Sequence, residues 1–264
     1  MCFVDVNGLR FHYKMKGTGP RLLFIHGIWS DMKNPVGILH SPMVEHFTVL
    51  AFDPRGIGES QSPSGPYAIA DMADDAAGIA AALGWEKYHV FGASMGGMVG
   101  QELALRHPEA VDKLILGVTN AGEKSGVPVV IDKLAQMSTI EKLFTSDTRQ
   151  DEAWAKAHPE VVAEMERQGE LGAQALAANP ALAKGYQYQV EAVVRHDTYA
   201  RLPQITAPTL VFNGRFDGSM APQFPQAMAA RMPNARFHLV DHGHGSWYYD
   251  PAVWDMMIAF LNEE

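Results

Sequence analysis

The stretch that most restricts this chain is Tyr88–Gly97, YHVFGASMGG. A short apolar run stops at a glycine, one serine follows between small residues, and two more glycines come next. A strand over Tyr88–Phe91 and a helix from Met95 to Arg106 are the expected flanks. Glycines two before and two after the serine, Gly92 and Gly96, remove side chains that would collide in a sharp strand-to-helix turn. Ser94 Oγ then stands exposed above a sheet, and the next helix offers free N–H groups to a developing anion. The plainer reading of the same residues is an ordinary turn with a helix-capping serine.

The rest of the chain decides between them. Cys2–Val6 and Arg10–Met15 flank Asn7-Gly8, a hairpin signal because both residues accept positive φ. Arg21–Ile25 and Phe47–Phe52 read as buried strands, and Ile69, Met72, Ala76, Ile79 and Leu83 mark a helix over Ala68–Leu83. A strand follows at Val111–Val118. This alternation implies an α/β fold, with a mostly parallel sheet covered by helices on both faces. From Ala121 to Thr198 strand patterns cease, and Pro159 and Pro180 break a segment rich in Ala, Glu, Gln and Lys. It reads as a helical cap, 121–198, inserted after the sixth strand into a core formed by 1–120 and 199–264. Strands resume at Pro208–Asn213 and Arg236–Val240, with helices at Ala221–Met232 and Val253–Leu261.

A serine is a poor nucleophile without a base. Nucleophile, acid and histidine are expected in that chain order, each after a strand. VFNGRFDGS places Asp217 at a strand's C-terminal end, and LVDHGHGSWYYDP offers His242 and His244 after the last strand. His244 follows Gly243 and lies further from the strand end, where a loop can turn it toward Ser94; His242 is the fallback. Asp217 would accept the Nδ1 proton of His244, leaving Nε2 to take the serine proton. FIHGIWS then puts the backbone N–H of Ile28 beside that of Met95, the two donors an oxyanion hole needs.

These pieces together resemble the α/β-hydrolase superfamily from end to end. The matching motifs are HGIW at 26–29, DPRGIGES at 53–60, GASMGG at 92–97, GRFDG at 214–218 and GHGSWYYDP at 243–251. In the family a proline seven residues after the histidine is typical, which favours His244. DPRGIGES resembles its structural turn after the fourth strand, so Asp53 and Arg55 read as scaffold. The style is closest to the branch with 3-oxoadipate enol-lactonases, small carboxylesterases and cofactor-free haloperoxidases. A serine at the elbow separates the chain from haloalkane dehalogenases and epoxide hydrolases, which resemble it but need a carboxylate nucleophile.

The resemblance implies a serine hydrolase acting on a small carboxylic ester or lactone through an acyl-enzyme on Ser94, with no cofactor. C–C bond hydrolysis of a diketone and perhydrolysis use the same triad and are the alternatives. Trp29, Trp154 and Trp247 are the expected pocket walls. No arginine in the cap is placed to meet an anionic substrate, which weakens the specific enol-lactonase reading. Other classes recede on composition and pattern. The net charge of −9 gives no basic excess for nucleic acid or an anionic membrane surface. Cys2 is the single cysteine, so neither an intrachain disulfide nor a cysteine zinc cluster forms. Lys16-Gly-Thr-Gly19 lacks a phosphate-loop ending, Gly56-Ile-Gly58 lacks a dinucleotide setting, and His242-Gly-His244 lacks a third metal ligand. With no basic-then-apolar leader and no span-length apolar run, a soluble cytoplasmic protein is expected.

Overall fold

At Asn7 and Gly8 the backbone turns through φ of +50° and +75°, the left-handed pair a two-residue hairpin needs. It joins β1 (Cys2–Val6) to β2 (Leu9–Lys16), with Val6 opposite Leu9. The computed structural model describes residues 2–33, 37–122, 133 and 136–263. The remaining strands are β3 (Arg21–Ile25), β4 (Thr48–Phe52), β5 (Tyr88–Ala93), β6 (Val111–Gly117), β7 (Thr209–Gly214) and β8 (Ala235–Val240). They form one sheet in the order β1-β2-β4-β3-β5-β6-β7-β8. The hairpin and the β2–β4 pair are antiparallel, and every later pairing is parallel.

Side chains alternate across a strand, so each central strand feeds two cores. Leu23, Ile25, Leu50, Val90, Leu114 and Leu116 face one way, under α2 (Ile69–Ala82) and α3 (Met95–Arg106). Leu22, Phe24, Val49, Phe91 and Ile115 face the other, under α1 (Met43–His46) and the C-terminal helix Pro251–Asn262. Burial on both faces is why these strands read as unbroken apolar runs.

Between β6 and β7 the described residues are helical: α4 (Thr139–Ser146), α5 (Glu152–Ala157), α6 (Pro159–Ala178) and α7 (Pro180–Val194). Residues 123–132, 134 and 135 of the expected cap lie outside the described residues. Pro159 and Pro180 open α6 and α7, where a missing N–H costs nothing. Ser138, Asp151 and Asn179 cap α4, α5 and α7 through their side-chain oxygens. The helix expected over Ala221–Met232 is shorter, α8 (Gln223–Ala229), because Pro233 disfavours helical backbone at Met232. The C-terminal helix is α9, Pro251–Asn262. Among the described residues no helix is long and apolar enough to cross a membrane.

Candidate active site

Four non-glycine residues among those described have positive φ. One is Asn7 of the hairpin; the others, Trp29, Ser94 and Val118, all follow the C-terminal ends of neighbouring strands β3, β5 and β6. Strain of this kind costs on the order of 1–3 kcal/mol per residue and gathers where geometry matters for function. Ser94 sits at φ +55° and ψ −122°. A Cβ on Gly92 would overlap Gly96 O, and one on Gly96 would overlap Ile25 O, so the turn closes only with glycine at both places. Ser94 N–H donates to Gly117 O at 2.9 Å, and Thr119 Oγ1 donates to Ser94 O at 2.7 Å.

The structure brings Ser94, His244 and Asp217 into one chain of contacts. His244 Nε2 lies 3.2 Å from Ser94 Oγ, and its Nδ1 lies 2.8 Å from Asp217 Oδ2. Asp217 is an acceptor only, so Nδ1 carries the proton and the Nε2 lone pair faces the serine hydroxyl. The second Asp217 oxygen accepts from Ser219 N–H at 2.9 Å and Met220 N–H at 2.8 Å. Its carboxylate is thus fully engaged and fully buried. Burial pushes the His244 proton affinity down, but the charge and hydrogen bond of Asp217 together outweigh it, and its pKa lies above the usual 6.5.

His242, the fallback histidine, points elsewhere: its Nε2 lies 2.6 Å from Asp250 Oδ2. Asp241 meets Arg215 Nε at 2.6 Å and stands apart from the relay. Among the described residues no group of three or more His, Cys, Asp or Glu side chains is placed to hold a metal.

Ile28 and Met95 present backbone N–H groups that donate to no protein acceptor among the described residues. Asp53 accepts from Met32 N–H at 2.8 Å, Glu59 N–H at 3.0 Å and His12 Nδ1 at 2.8 Å, so it pins the Ile28 loop to the turn after β4. Arg55 pairs with Asp75 at 2.6 Å. Both act as framework. His26 is buried, its pKa lowered to about 4 chiefly by that burial, against an opposing pull from Asp53. It stays neutral beside the Ile28 loop.

The three tryptophans part company. Trp29 stacks on Tyr186 of α7, with ring centroids 6.0 Å apart. Its N–H donates to Gln189 Oε1 at 2.8 Å, and Tyr186 Oη donates back to Trp29 O at 3.2 Å. Trp154 stacks on His158, centroids 4.3 Å apart, within the inserted helices. Trp247, expected as a pocket wall, is instead a core residue only 1% exposed. It packs against Phe91, Phe212 and Trp254, and its indole N–H donates to His244 O at 2.9 Å.

Gln189 is the site-bordering residue that sequence reading missed. It is fully buried, its Oε1 is committed to Trp29, and its Nε2 has no partner among the described residues. A signal existed: Gly185, Gln189 and Ala192 form the buried stripe of α7, and a glutamine is the odd member.

Comparison with known proteins identifies the fold family. A family model described as "alpha/beta hydrolase fold" matches residues 20–251. An uncharacterized protein, Mb2734, of Mycobacterium bovis is 34% identical over 128 residues, 48% of this chain and 37% of that one. The chain therefore spans little more than a third of that relative's length. RutD of Caulobacter segnis, named provisionally as a carbamate hydrolase, is 30% identical over 229 residues, 83% of each chain. Among solved structures, the enol-lactonase of Burkholderia xenovorans LB400 superposes with a TM-score of 0.78 at 25% identity, over 99% of this chain and 100% of the other.

Proposed function

The chain belongs to the alpha/beta hydrolase fold family, and from that premise we propose that it is a serine hydrolase of small carboxylic esters or lactones. The observation that carries the reading is the continuous relay Asp217–His244–Ser94, with two unengaged N–H groups beside it. In the first half-reaction His244 Nε2 takes the Ser94 hydroxyl proton as Oγ bonds to the substrate carbonyl carbon. The carbonyl oxygen becomes an anion and receives hydrogen bonds from Ile28 and Met95 N–H. The tetrahedral adduct collapses, the alkoxide leaves with the proton from Nε2, and an acyl group stays on Ser94. His244 Nε2 then takes a proton from a water as that water attacks the acyl carbon; the second adduct collapses as the bond to Ser94 Oγ breaks, Oγ takes the proton back from Nε2, and the acid is released. A lactone follows the same path with its alcohol still tethered. Similarity to an enol-lactonase structure supports including lactones, and similarity to a protein named for carbamate hydrolysis is consistent with acyl transfer generally.

The test is turnover of short p-nitrophenyl esters and simple lactones by wild type and Ser94→Ala. Removing a serine nucleophile that works with its base costs on the order of 10⁶ in kcat. Equal rates for the two proteins would sink the assignment.

A further inference from the structure

The acid and the histidine stand on loops separated by 27 positions, and these meet directly where Phe216 N–H donates to His242 O at 3.0 Å and Arg215 Nε meets Asp241 at 2.6 Å. A third piece of chain, just after α4, touches both. Ser146 O accepts the His244 N–H at 2.6 Å, and Thr148 N–H donates to Phe216 O at 2.8 Å. A Cβ on Gly243 would overlap Ser146 O, so this backbone lies directly on the histidine loop.

Arg149 ties the arrangement together. Its Nε and Nη2 hold the two oxygens of the buried Asp147 carboxylate at 2.9 and 2.5 Å. Its Nη1 donates to Asp241 O at 3.1 Å, on the histidine loop. Its guanidinium lies 4.6 Å from the centre of the Phe216 ring, on the acid loop. One planar fork therefore meets three segments at once, a geometry lysine cannot copy. None of these bonds reaches a reacting atom. The Arg149 side chain is also 45% exposed, so the ion pair by itself contributes little stability.

We propose that Arg149 is a positioning residue: it clamps the acid loop and the histidine loop onto the strap after α4, and so holds Asp217 against His244. Its consequence for catalysis rests on the triad reading above; its structural content does not. The charged groups around the His244 loop are Asp217, the Asp147–Arg149 pair, the Asp241–Arg215 pair and His242 with Asp250. Removing a cation from this set acts through space to raise the proton affinity of His244. Loosening Asp217 acts the opposite way, because Asp217 is what lifts His244 against the downward effect of burial. The sign of the shift therefore separates alignment from bulk charge.

The experiment follows the His244 ring proton by NMR across pH in wild type, Arg149→Met and Arg149→Lys, the signal being assigned by its loss in His244→Ala. In Arg149→Met the titration is expected to move to lower pH, with Arg149→Lys between it and wild type. If Arg149→Met does not fold, Arg149→Lys carries the same readout. No shift, or an upward one, in a folded variant overturns the proposal. This readout needs no turnover, so it stands or falls separately from the hydrolase reading. Where esters are hydrolysed, kcat/KM of Arg149→Met should fall by about 10- to 100-fold, since a misplacement of about 1 Å costs on the order of 10². A loss of thermal stability with the His244 titration unmoved would mean a merely structural role.

Discussion

At the scale of single residues the chemistry turns on how His244 is balanced. Burial favours its neutral form, and Asp217 favours its charged form by more. General base catalysis needs the neutral imidazole, so kcat/KM should fall as pH drops, with the midpoint of the acid limb above 6.5. A pH profile of kcat/KM on a p-nitrophenyl ester measures this directly. A limb centred below 6.5 would mean that Asp217 does not act on the base. Linkage gives the same shift a second reading. A group whose folded pKa is raised stabilises the fold fully below its unfolded value and loses that contribution as pH rises through the folded one. Activity gained and stability lost thus run together on the alkaline side, and urea unfolding across that window checks the second half. Ser94 shows the same economy of cause: its unfavourable φ is held by Gly117 O and Thr119 Oγ1 and permitted by Gly92 and Gly96.

At the scale of elements, one inserted helix meets the turn after β3. Helix α7 grips the Ile28–Trp29 turn through Gln189 and Tyr186. Gln189→Met keeps the volume and removes the acceptor for Trp29 N–H, so the Ile28 donor should lose its aim. Deleting an oxyanion donor outright costs about 10²–10³ in kcat; a loosened one should cost less, on the order of tenfold, with KM little changed. Steady-state kinetics decides this, and a change confined to KM would place Gln189 against substrate instead. This is also where sequence legibility ends. Strands β3, β5, β6 and β7 and the elbow could be read because their signals are local: apolar runs, glycine spacing and chain order. Trp247 could not, since an aromatic after a histidine looks the same whether it faces a pocket or Phe91 and Phe212. Gln189 and Trp29 are 160 positions apart, and Arg149 and Asp241 are 92 apart. No periodicity encodes a contact of that separation; packing of one element on another creates it.

At the scale of the whole molecule, stability is unevenly shared between sheet and insertion. Strand β5 is buried at every position, and β6 at most of them. Helix α7 buries Gly185, Gln189 and Ala192, whereas the 20 residues of α6 bury none. Most helical stability in proteins comes from a packed apolar face rather than from propensity, and α6 buries no such face. The α6 surface ion pair Arg167–Glu164 is exposed on both sides and adds little. Hydrogen exchange should therefore be graded: amides of α6 exchanging fastest, those of α7 more slowly, and those of β5 and β6 only on global opening. Mass-spectrometric exchange on the intact chain measures the gradient. Protection of α6 equal to that of β5 would contradict it, and would mean that this helix is covered in solution by a surface outside the single chain. Dilution then tells the two apart, because cover supplied by a second copy weakens as the protein is diluted, while protection intrinsic to the fold does not.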